Sequence, residues 1–215
     1  MNKQQRTGIG ILGGTFDPVH FGHLKLAEFV YERLPLQEIR FIPCYQPVHR
    51  EQPAVNVMQR LEMLKIALKT EKHCVLDLKE IERKGPSYMI ETLISLRHDY
   101  PKQPLYLILG ADAFAKIDSW HRWEELLQFT HIVVVNRPQT PVRFNAVIQH
   151  LMQEHMITNL DESSTRLHGN IIQLSMPAIP ISATELRNTI ARNKKPKNAL
   201  SEAVWKYIQE NNLYR

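Results

Sequence analysis

The sequence has only two cysteines, Cys44 and Cys74, and they form neither a disulfide framework nor a Cys-x-x-Cys pair. It has no apolar stretch long enough to span a membrane, and residues 1–7 are polar, unlike a signal peptide. These absences argue against a secreted or membrane-spanning protein. We therefore expect a soluble protein of the reducing cytoplasm.

The chain also lacks a strong excess of one charge. Its 27 Lys and Arg residues against 22 Asp and Glu residues give a net charge of +5. That surplus suits polyanionic small molecules and would also suit nucleic acid. The basic residues are dispersed apart from the short run 192–197, and no motif interleaves aromatic with basic side chains. A nucleic-acid-binding module therefore stays open only as an alternative.

Short apolar runs alternate with amphipathic stretches along the 215 residues. The alternation predicts repeated β-α units, so we expect an α/β fold. In that fold a doubly wound, Rossmann-like parallel sheet has helices on both faces, in a single domain over residues 1–215. The expected strands are 9–12, 38–43, 75–78, 105–109, 131–135 and 171–174. Helices are expected after Gly22, Asn56 and Ile181, around Val204, and over 87–97, 120–129 and 145–155, with a polar loop at 159–169.

Residues 8–13 match the dinucleotide-binding pattern G-x-G-x-x-G. That pattern works as the turn after a strand, with its glycines opening a helix. Here Ile9, Ile11 and Leu12 have the character of the strand itself, and Asp17-Pro18 interrupts the chain before a helix can begin. We therefore interpret the match as a coincidence of spacing.

Residues 13–23, after the first strand, carry the chemistry of a phosphate site. Two glycines let an anion approach the backbone amides, and Thr15 adds a hydroxyl. His20 and His23 are three residues apart, so a helix beginning near His20 places both imidazoles on one face of its positively polarised first turn. Taken singly, each histidine is more commonly an ordinary surface or core residue. Zinc ligation and a P-loop are disfavoured because neither further ligands at zinc spacing nor Gly-Lys-Ser/Thr follow.

Residues 181–187 form a second candidate anion site far along the chain. Ser182 or Thr184 can cap a helix there, and Glu185 can complete a capping box with Ser182. The free amides of that helix and the guanidinium of Arg187 would bind phosphate oxygens. By its residues alone, the segment is more commonly a capped surface helix.

These two segments resemble the signatures of the nucleotidyltransferase superfamily. The block His20-Phe21-Gly22-His23 is similar to its H-x-G-H, and residues 181–187 are similar to its I-S-S-T-x-I-R, with Ala183 for the middle serine. The resemblance implies adenylyl transfer from ATP, with His20, His23 and Arg187 as catalytic residues. The ATP site that it implies consists of Gly13, Gly14, Thr15, Phe16, His20, His23, Gly110, Asp112, Arg137, Ile181, Ser182, Thr184 and Arg187.

Segments between these signatures resemble the bacterial nicotinate-nucleotide adenylyltransferase family over nearly the whole chain. They are Pro47-Val48-His49-Arg50, residues 85–93, Gly110-Ala111-Asp112 with Trp120, Asn136-Arg137-Pro138, and Tyr207-Ile208 with Leu213-Tyr214. The implied acceptor site consists of His49, Arg50, Ser87, Tyr88, Met89, Asp112, Trp120 and His121. There Trp120 would stack on the pyridine ring, and Arg50 would pair with the mononucleotide phosphate. Backbone N–H groups near Met89 and His121 would bind the nicotinate carboxylate.

The implied reaction joins ATP and nicotinate mononucleotide to give deamido-NAD and pyrophosphate, a step of NAD biosynthesis. Mg²⁺ held mainly by phosphates and water would accompany ATP, and no metal site made by the protein is expected. Nicotinamide mononucleotide or phosphopantetheine as the acceptor stays open, as does a catalytically inactive, ATP-sensing relative. The expected partners are these small molecules, without nucleic acid or membrane, and a homo-oligomer stays open.

Overall fold

The structure, a computed structural model, describes residues 7–48, 52–136, 142–177 and 179–215. Within these ranges the strands are β1 (Gly8–Gly14), β2 (Leu36–Pro43), β3 (Cys74–Leu76), β4 (Leu105–Gly110), β5 (His131–Asn136), β6 (Met156–Ile157) and β7 (Ile171–Ser175). They form a sheet in the order β3-β2-β1-β4-β5-β7-β6. The pairs β1–β4, β4–β5, β5–β7 and β6–β7 are parallel. The order 3-2-1-4-5 is that of a doubly wound sheet, which confirms the expected fold class.

Helices supply the connections that parallel strands require. They are α1 (Phe21–Arg33), α2 (Val57–Leu68), α3 (Lys79–Arg83), α4 (Met89–Asp99), α5 (Ala111–Phe114), α6 (Ala146–His155), α7 (Leu160–Thr165), α8 (Ala183–Ala191) and α9 (Glu202–Glu210). Two 3₁₀ helices cover Ile117–Ser119 and Trp123–Gln128. In the part of the chain that the structure describes, none of the helices has the length and hydrophobicity needed to cross a membrane.

The chain divides into two compact units, with β1 and β2 passing through both. Unit 1 comprises residues 1–12, 30–40 and 88–178, and unit 2 comprises residues 13–29, 41–87 and 179–215. The assignment of residues 1–215 to a single domain stays a prediction.

Unit 1 is built around β4 and β5, which are buried along nearly their whole length. Such continuous burial is typical of central strands in a parallel sheet. β1 packs closely here because Gly8 and Gly10 have no side chain. A Cβ atom at Gly8 would lie 2.6 Å from the ring of Tyr106, and one at Gly10 would lie 2.8 Å from Ile39. These glycines are strand residues, which confirms that the G-x-G-x-x-G match is not a dinucleotide-binding turn.

Unit 2 packs α2 against α9. Their apolar faces are buried, with Leu61 and Leu64 on α2 and Val204 and Ile208 on α9. Asn56 caps α2, as predicted, and forms a capping box with N3 of that helix. Each helix is therefore fixed both by its apolar face and by its first turn.

Two predicted elements are wrong in kind. Residues 159–169, expected to be a loop, contain α7, whose Asn159 side chain accepts a hydrogen bond from the Asp161 N–H at 3.1 Å. The hydroxyl of Tyr106 donates to Ser163 of this helix at 3.2 Å, a tertiary contact that a local pattern does not show. Residues 120–129, expected to be an α-helix, contain only the 3₁₀ helix Trp123–Gln128, because Arg122 before it is in the left-handed conformation.

A buried polar cluster lies at the start of β5 and centres on His131, whose ring is fully buried. The Asn170 N–H donates to Nδ1 of His131 at 3.1 Å, so the neutral ring carries its proton on Nε2 and donates to the Arg166 carbonyl at 3.0 Å. Burial lowers the pKa of His131 from 6.5 to about 4. The imidazole is therefore neutral in the folded protein at neutral pH.

Acidification should destabilise the protein through His131. The unfolded imidazole binds a proton near pH 6.5, whereas the folded one resists protonation until about pH 4. The resulting stability is fully present above pH 6.5 and is lost as the pH falls towards 4, by roughly 3 kcal/mol in total. Urea unfolding across this interval measures the loss. His131→Gln should show a shallower decline than the wild type, and identical pH dependence in the two proteins would contradict the assignment.

Candidate active site

The turn after β1 is shaped by Phe16, which has a φ of 50° and a fully buried ring. That ring packs edge-on against His23, with 5.0 Å between centroids, and lies 5.6 Å from Phe41. The half-buried Gly13, Gly14 and Thr15 precede it. The side chain of Phe16 is therefore buried against His23 and does not face solvent. A nucleotide that approaches this turn would contact its backbone.

His20 and His23 lie together at the start of α1, as their spacing predicted. Their rings stack with centroids 3.8 Å apart and an angle of 23° between the planes. The backbone N–H of His20 donates to Nδ1 of His23 at 3.2 Å. A neutral His23 therefore carries its proton on Nε2. The helix also begins here, so its positively polarised end faces the same region as the imidazoles.

Gly22 separates the two histidines and brings the second signature close. A Cβ atom at this position would lie 2.8 Å from the ring of His20, closer than real contacts allow, and 3.8 Å from Cβ of Ile181. The missing side chain thus leaves room for the His20 ring. It also lets residues 181–187 pack against the first signature.

Ser182 occupies the N-cap position of α8, but its side chain makes no capping hydrogen bond. The capping box expected from Ser182 and Glu185 is therefore wrong. The helix is held by burial of Leu186 and Ile190 instead, so it does not depend on that bond. Ser182 and Thr184 are both exposed. The hydroxyl of Ser182 is thus not consumed by its own helix.

Arg187 links the two signatures directly. Its Nη1 donates to the carbonyl oxygen of Asp17 at 2.8 Å, and its Nη2 lies 3.4 Å from the Thr184 hydroxyl. Unit 2 therefore brings together the histidines, the glycine turn and residues 181–187, which we call the HxGH cluster. Imidazole, hydroxyl, amide and guanidinium donors in one cluster are the groups that bind phosphate oxygens.

Arg60 of α2 also holds the turn, and the sequence analysis missed it. Its side chain is 1% exposed. Nη1 donates to the Thr15 carbonyl at 2.7 Å, and Nη2 donates to the Cys44 carbonyl at 2.8 Å. This guanidinium thus joins the turns that follow β1 and β2. The available signal was a charged residue next to Leu61 on the apolar face of a helix.

Ser87 acts on the turn after β2 as well. Its hydroxyl oxygen accepts hydrogen bonds from the N–H groups of Tyr45 at 2.9 Å and Gln46 at 3.3 Å, and its own N–H donates to the Gln46 carbonyl. The side chain of Ser87 therefore fixes the backbone that leads towards His49 and Arg50. His49 and Arg50 themselves, like Arg137, lie outside the described residues.

Unit 1 contains Tyr88, Met89, Gly110, Asp112, Trp120 and His121, the candidate acceptor residues that we call the Trp120 cluster, and a contact between Tyr88 and His121 joins two of its segments. The rings of Tyr88 and His121 lie 4.4 Å apart. Met89 is the first residue of α4, and Tyr88 at the N-cap makes no side-chain capping bond. The first amides of α4 are thus not capped by the preceding side chain. Trp120 is half-buried and ends the first 3₁₀ helix, with its N–H on the Ile117 carbonyl.

Gly110 and Asp112 meet at the carboxyl end of β4. The exposed carboxylate of Asp112 folds back over Gly110, where a Cβ atom would lie 2.7 Å from Oδ1. Position 110 therefore admits only glycine while that carboxylate keeps its place. The carboxylate thus provides an acceptor of hydrogen bonds, suited to ribose hydroxyls, at the end of the strand.

Arg122 is a second residue that sequence reasoning missed. It follows His121 in a left-handed conformation and contacts Glu125 through two hydrogen bonds of 2.7 Å. It also donates to Glu91 of α4 at 2.9 Å. Hydrogen bonding to Glu125 raises the pKa of Arg122. The arginine thus ties α4 to the segment that carries Trp120 and His121.

A metal ion would not find a cage of side chains here. Among the residues that the structure describes, no three or more His, Cys, Asp or Glu side chains are grouped to hold an ion. The HxGH cluster offers N–H and hydroxyl donors, which are partners for an anion. Such a cluster fits a metal that arrives with its nucleotide and is held by the phosphates.

Comparison with known proteins gives concordant matches. A family model described as cytidylyltransferase-like matches residues 11–189. Two curated relatives carry the name "Probable nicotinate-nucleotide adenylyltransferase". The one from Methylococcus capsulatus is 41% identical, over 96% of this chain and 99% of the relative. The one from Hydrogenovibrio crunogenus is also 41% identical, over 96% of this chain and 97% of the relative.

A solved structure shares the fold at lower identity. It is a Plasmodium falciparum nicotinic acid mononucleotide adenylyltransferase complexed with NaAD. The match has a TM-score of 0.73 and 19% identity, and it covers 97% of each chain. At this identity the likeness concerns the fold alone.

Replacing Arg60 should destabilise the folded chain, because this buried side chain holds two turns together. Arg60→Met removes the charged donors to the carbonyls of Thr15 and Cys44, so the free energy of unfolding should fall by about 3 kcal/mol. Lys65→Met on the same helix is the control, since Lys65 is exposed and should change stability by less than about 0.5 kcal/mol. Urea denaturation measures both, and equal effects would contradict the role given to Arg60.

Proposed function

This chain belongs to the cytidylyltransferase-like family and, within it, to the nicotinate-nucleotide adenylyltransferases, and on that premise we propose how its residues act. The reaction transfers the adenylyl group of ATP to nicotinate mononucleotide, giving deamido-NAD and pyrophosphate. The proposal rests on the proximity of the two signatures. Gly22 packs beside Ile181, and Arg187 donates a hydrogen bond to the Asp17 carbonyl, so both signatures lie in one cluster.

The phosphates of ATP bind at the HxGH cluster. The backbone of Gly13, Gly14, Thr15 and Phe16 lets the phosphate chain approach the turn closely. His20 and His23 face the α-phosphate and the bridging oxygen beside it. Across the cluster, Ile181 leads into α8, where Ser182, Thr184 and Arg187 hold the β- and γ-phosphates. The sequence resemblance assigns further contacts with ATP to Gly110, Asp112 and Arg137.

The chemical step is an in-line displacement at phosphorus. The 5′-phosphate oxygen of the acceptor forms a bond to the α-phosphorus, and the bond from that phosphorus to the bridging oxygen breaks. The electron pair of the broken bond leaves with pyrophosphate. Because the attacking oxygen is already ionised, no protein nucleophile or general base is needed. The protein contributes positioning and donors for the charge that develops on the oxygens.

Magnesium is the cation that we propose for this reaction. It would neutralise charge on the phosphate oxygens when it is bound with ATP. This chain would hold the ion indirectly, by gripping those phosphates through the HxGH cluster. The cluster orients the nucleotide for attack, its imidazoles donate hydrogen bonds to phosphate oxygens, and the guanidinium of Arg187 balances part of the remaining negative charge.

We assign the acceptor to the Trp120 cluster, and the sequence resemblance separately assigns acceptor contacts to His49, Arg50 and Ser87. Trp120 stacks on the pyridine ring, and Asp112 accepts hydrogen bonds from ribose. The uncapped first amides of α4, beside Tyr88 and Met89, suit the nicotinate carboxylate, as does the backbone at His121. Arg50 pairs with the acceptor phosphate. The contacts of Arg122 with Glu91 and Glu125 keep these elements in register.

We propose that the enzyme works in the reducing cytoplasm. Cys44 and Cys74 are the two cysteines of the chain, and they do not form a disulfide. Burial, with Glu71 and Glu28 adding to it, raises the pKa of Cys74 to about 12, so this thiol stays protonated. A reducing compartment keeps such thiols unpaired.

His20→Ala should reduce turnover by about 10²–10³-fold, because one preorganised donor to the reacting phosphate is lost. Pyrophosphate release measures the rate, and circular dichroism checks the fold. His98→Ala is the matched control, since the His98 side chain is 92% exposed. Near-normal turnover in His20→Ala would exclude the role.

Acceptor identity is tested by supplying ATP and magnesium with nicotinate mononucleotide, nicotinamide mononucleotide or phosphopantetheine. We expect the fastest dinucleotide formation with nicotinate mononucleotide, because the amides of α4 favour a carboxylate over a carboxamide. Activity with phosphopantetheine alone would overturn the assignment, and so would the absence of activity with both pyridine mononucleotides.

Chelation of the cation should affect turnover without affecting the stability of the protein. Excess EDTA should abolish turnover, because ATP then lacks the ion that neutralises its phosphates. The thermal midpoint of the protein alone should not move, because the described residues group no side-chain cage for an ion. A lowered midpoint in EDTA would indicate a structural metal and contradict this proposal.

A further inference from the structure

Asp17 is a point where three distant parts of unit 2 meet. It is 6% exposed. Its Oδ1 accepts a hydrogen bond from the Tyr214 hydroxyl at 2.7 Å, and its Oδ2 accepts one from the Ala54 N–H at 2.7 Å. Its carbonyl oxygen accepts the hydrogen bond from Arg187. One residue of the glycine turn therefore connects the C-terminal residues, the chain before α2 and the arginine of α8.

Tyr214 reaches Asp17 from the penultimate position of the chain. Its backbone is left-handed, with a φ of 63°, and this turns the side chain back against α2, where the hydroxyl lies 4.0 Å from Sδ of Met63. Burial and the Asp17 carboxylate raise the pKa of Tyr214 far above its ordinary value. The hydroxyl therefore stays protonated, and a hydrogen-bond donor, at neutral pH.

Arg187 depends on Asp17 for its direction. Within the described residues its guanidinium makes two hydrogen bonds, to the Asp17 carbonyl and to the Thr184 hydroxyl. The bond to Asp17 is the shorter, at 2.8 Å against 3.4 Å. A guanidinium has further N–H donors in a fixed plane. Fixing one edge of that plane on a carbonyl aims the other edge, so the position of Asp17 decides where those donors point.

We propose that Tyr214 and Asp17 are positioning residues for Arg187: the Tyr214 hydroxyl fixes the Asp17 carboxylate, and the Asp17 carbonyl thereby holds the guanidinium in place for the nucleotide phosphates. This inference rests on the proposed role of Arg187 in ATP binding. It makes the C-terminal residues part of the phosphate site, although they follow the second signature by more than twenty positions. A purely structural tie of the C-terminus would stabilise the fold and leave Arg187 unaffected.

Tyr214→Phe is the direct test, because it removes one hydroxyl and keeps the ring. We expect kcat/KM for ATP to fall by about tenfold, the usual scale for a hydrogen bond to a charged group. Tyr207→Phe removes a hydroxyl from the same C-terminal region and should leave kcat/KM unchanged. Unchanged kinetics in Tyr214→Phe would overturn the proposal.

A double-mutant cycle separates positioning from a structural tie. In an Arg187→Ala background, Tyr214→Phe should change kcat/KM for ATP by less than about twofold, because the group that it positions is gone. An equal loss in both backgrounds would show that Tyr214 does not act through Arg187 and would overturn the proposal. If Tyr214→Phe does not fold at the assay temperature, Asp17→Asn is carried through the same cycle with the same criterion.

Binding of ATP in the absence of any acceptor keeps this test independent of the reaction. Titration calorimetry with ATP and magnesium should show weaker binding in Tyr214→Phe, and the same non-additivity with Arg187→Ala. If the wild type binds ATP but transfers nothing to any acceptor, the proposed function fails and the cycle on binding still decides the role of Tyr214. Additive losses of ATP affinity would refute the positioning role alone.

Discussion

The HxGH cluster depends on the buried guanidinium of Arg60. This guanidinium is shielded from water and donates hydrogen bonds to the carbonyls of Thr15 and Cys44. A buried charge is costly unless its donors find acceptors, and the two carbonyls serve Nη1 and Nη2, whereas Nε finds no acceptor among the described residues. The turns after β1 and β2 are thereby fixed together, and each leads into a segment to which we assign a substrate-binding role. The buried cation of Arg60 thus keeps the backbone of both turns in place before any ligand binds.

Side-chain packing contributes to the HxGH cluster as much as charge does. The ring of Phe16 supports His23, and the absence of a side chain at Gly22 lets the His20 ring and Ile181 approach. Donors placed by packing do not have to reorganise when charge develops on a phosphate, which is the main source of their catalytic value. The same packing explains why the signature needs glycine between its histidines.

The sequence predicted the central strands and the placement of His20 beside His23 well, because those features are local. β4 and β5 are continuous apolar runs, and the spacing of His20 and His23 by itself places them on one helical face. Short elements such as α3, α5 and α7 escaped prediction because tertiary contacts, like that of Tyr106 with Ser163, hold them. Arg60, Asp17 and Tyr214 escaped for the same reason, since Arg187 and Asp17 alone are 170 residues apart. Periodicity carries no information about such pairs.

The division of the chain into units has a consequence for how such enzymes diverge. The groups assigned to the triphosphate all lie in residues 13–29 and 179–215, whereas the aromatic and amide groups assigned to the pyridine ring lie in residues 88–121. Selection for a new acceptor can therefore act on the second stretch while the first is inherited unchanged. A designer who wishes to recruit an unnatural mononucleotide would diversify residues 88–93 and 120–121, spare Gly110 and Asp112, and leave the machinery of adenylyl transfer alone.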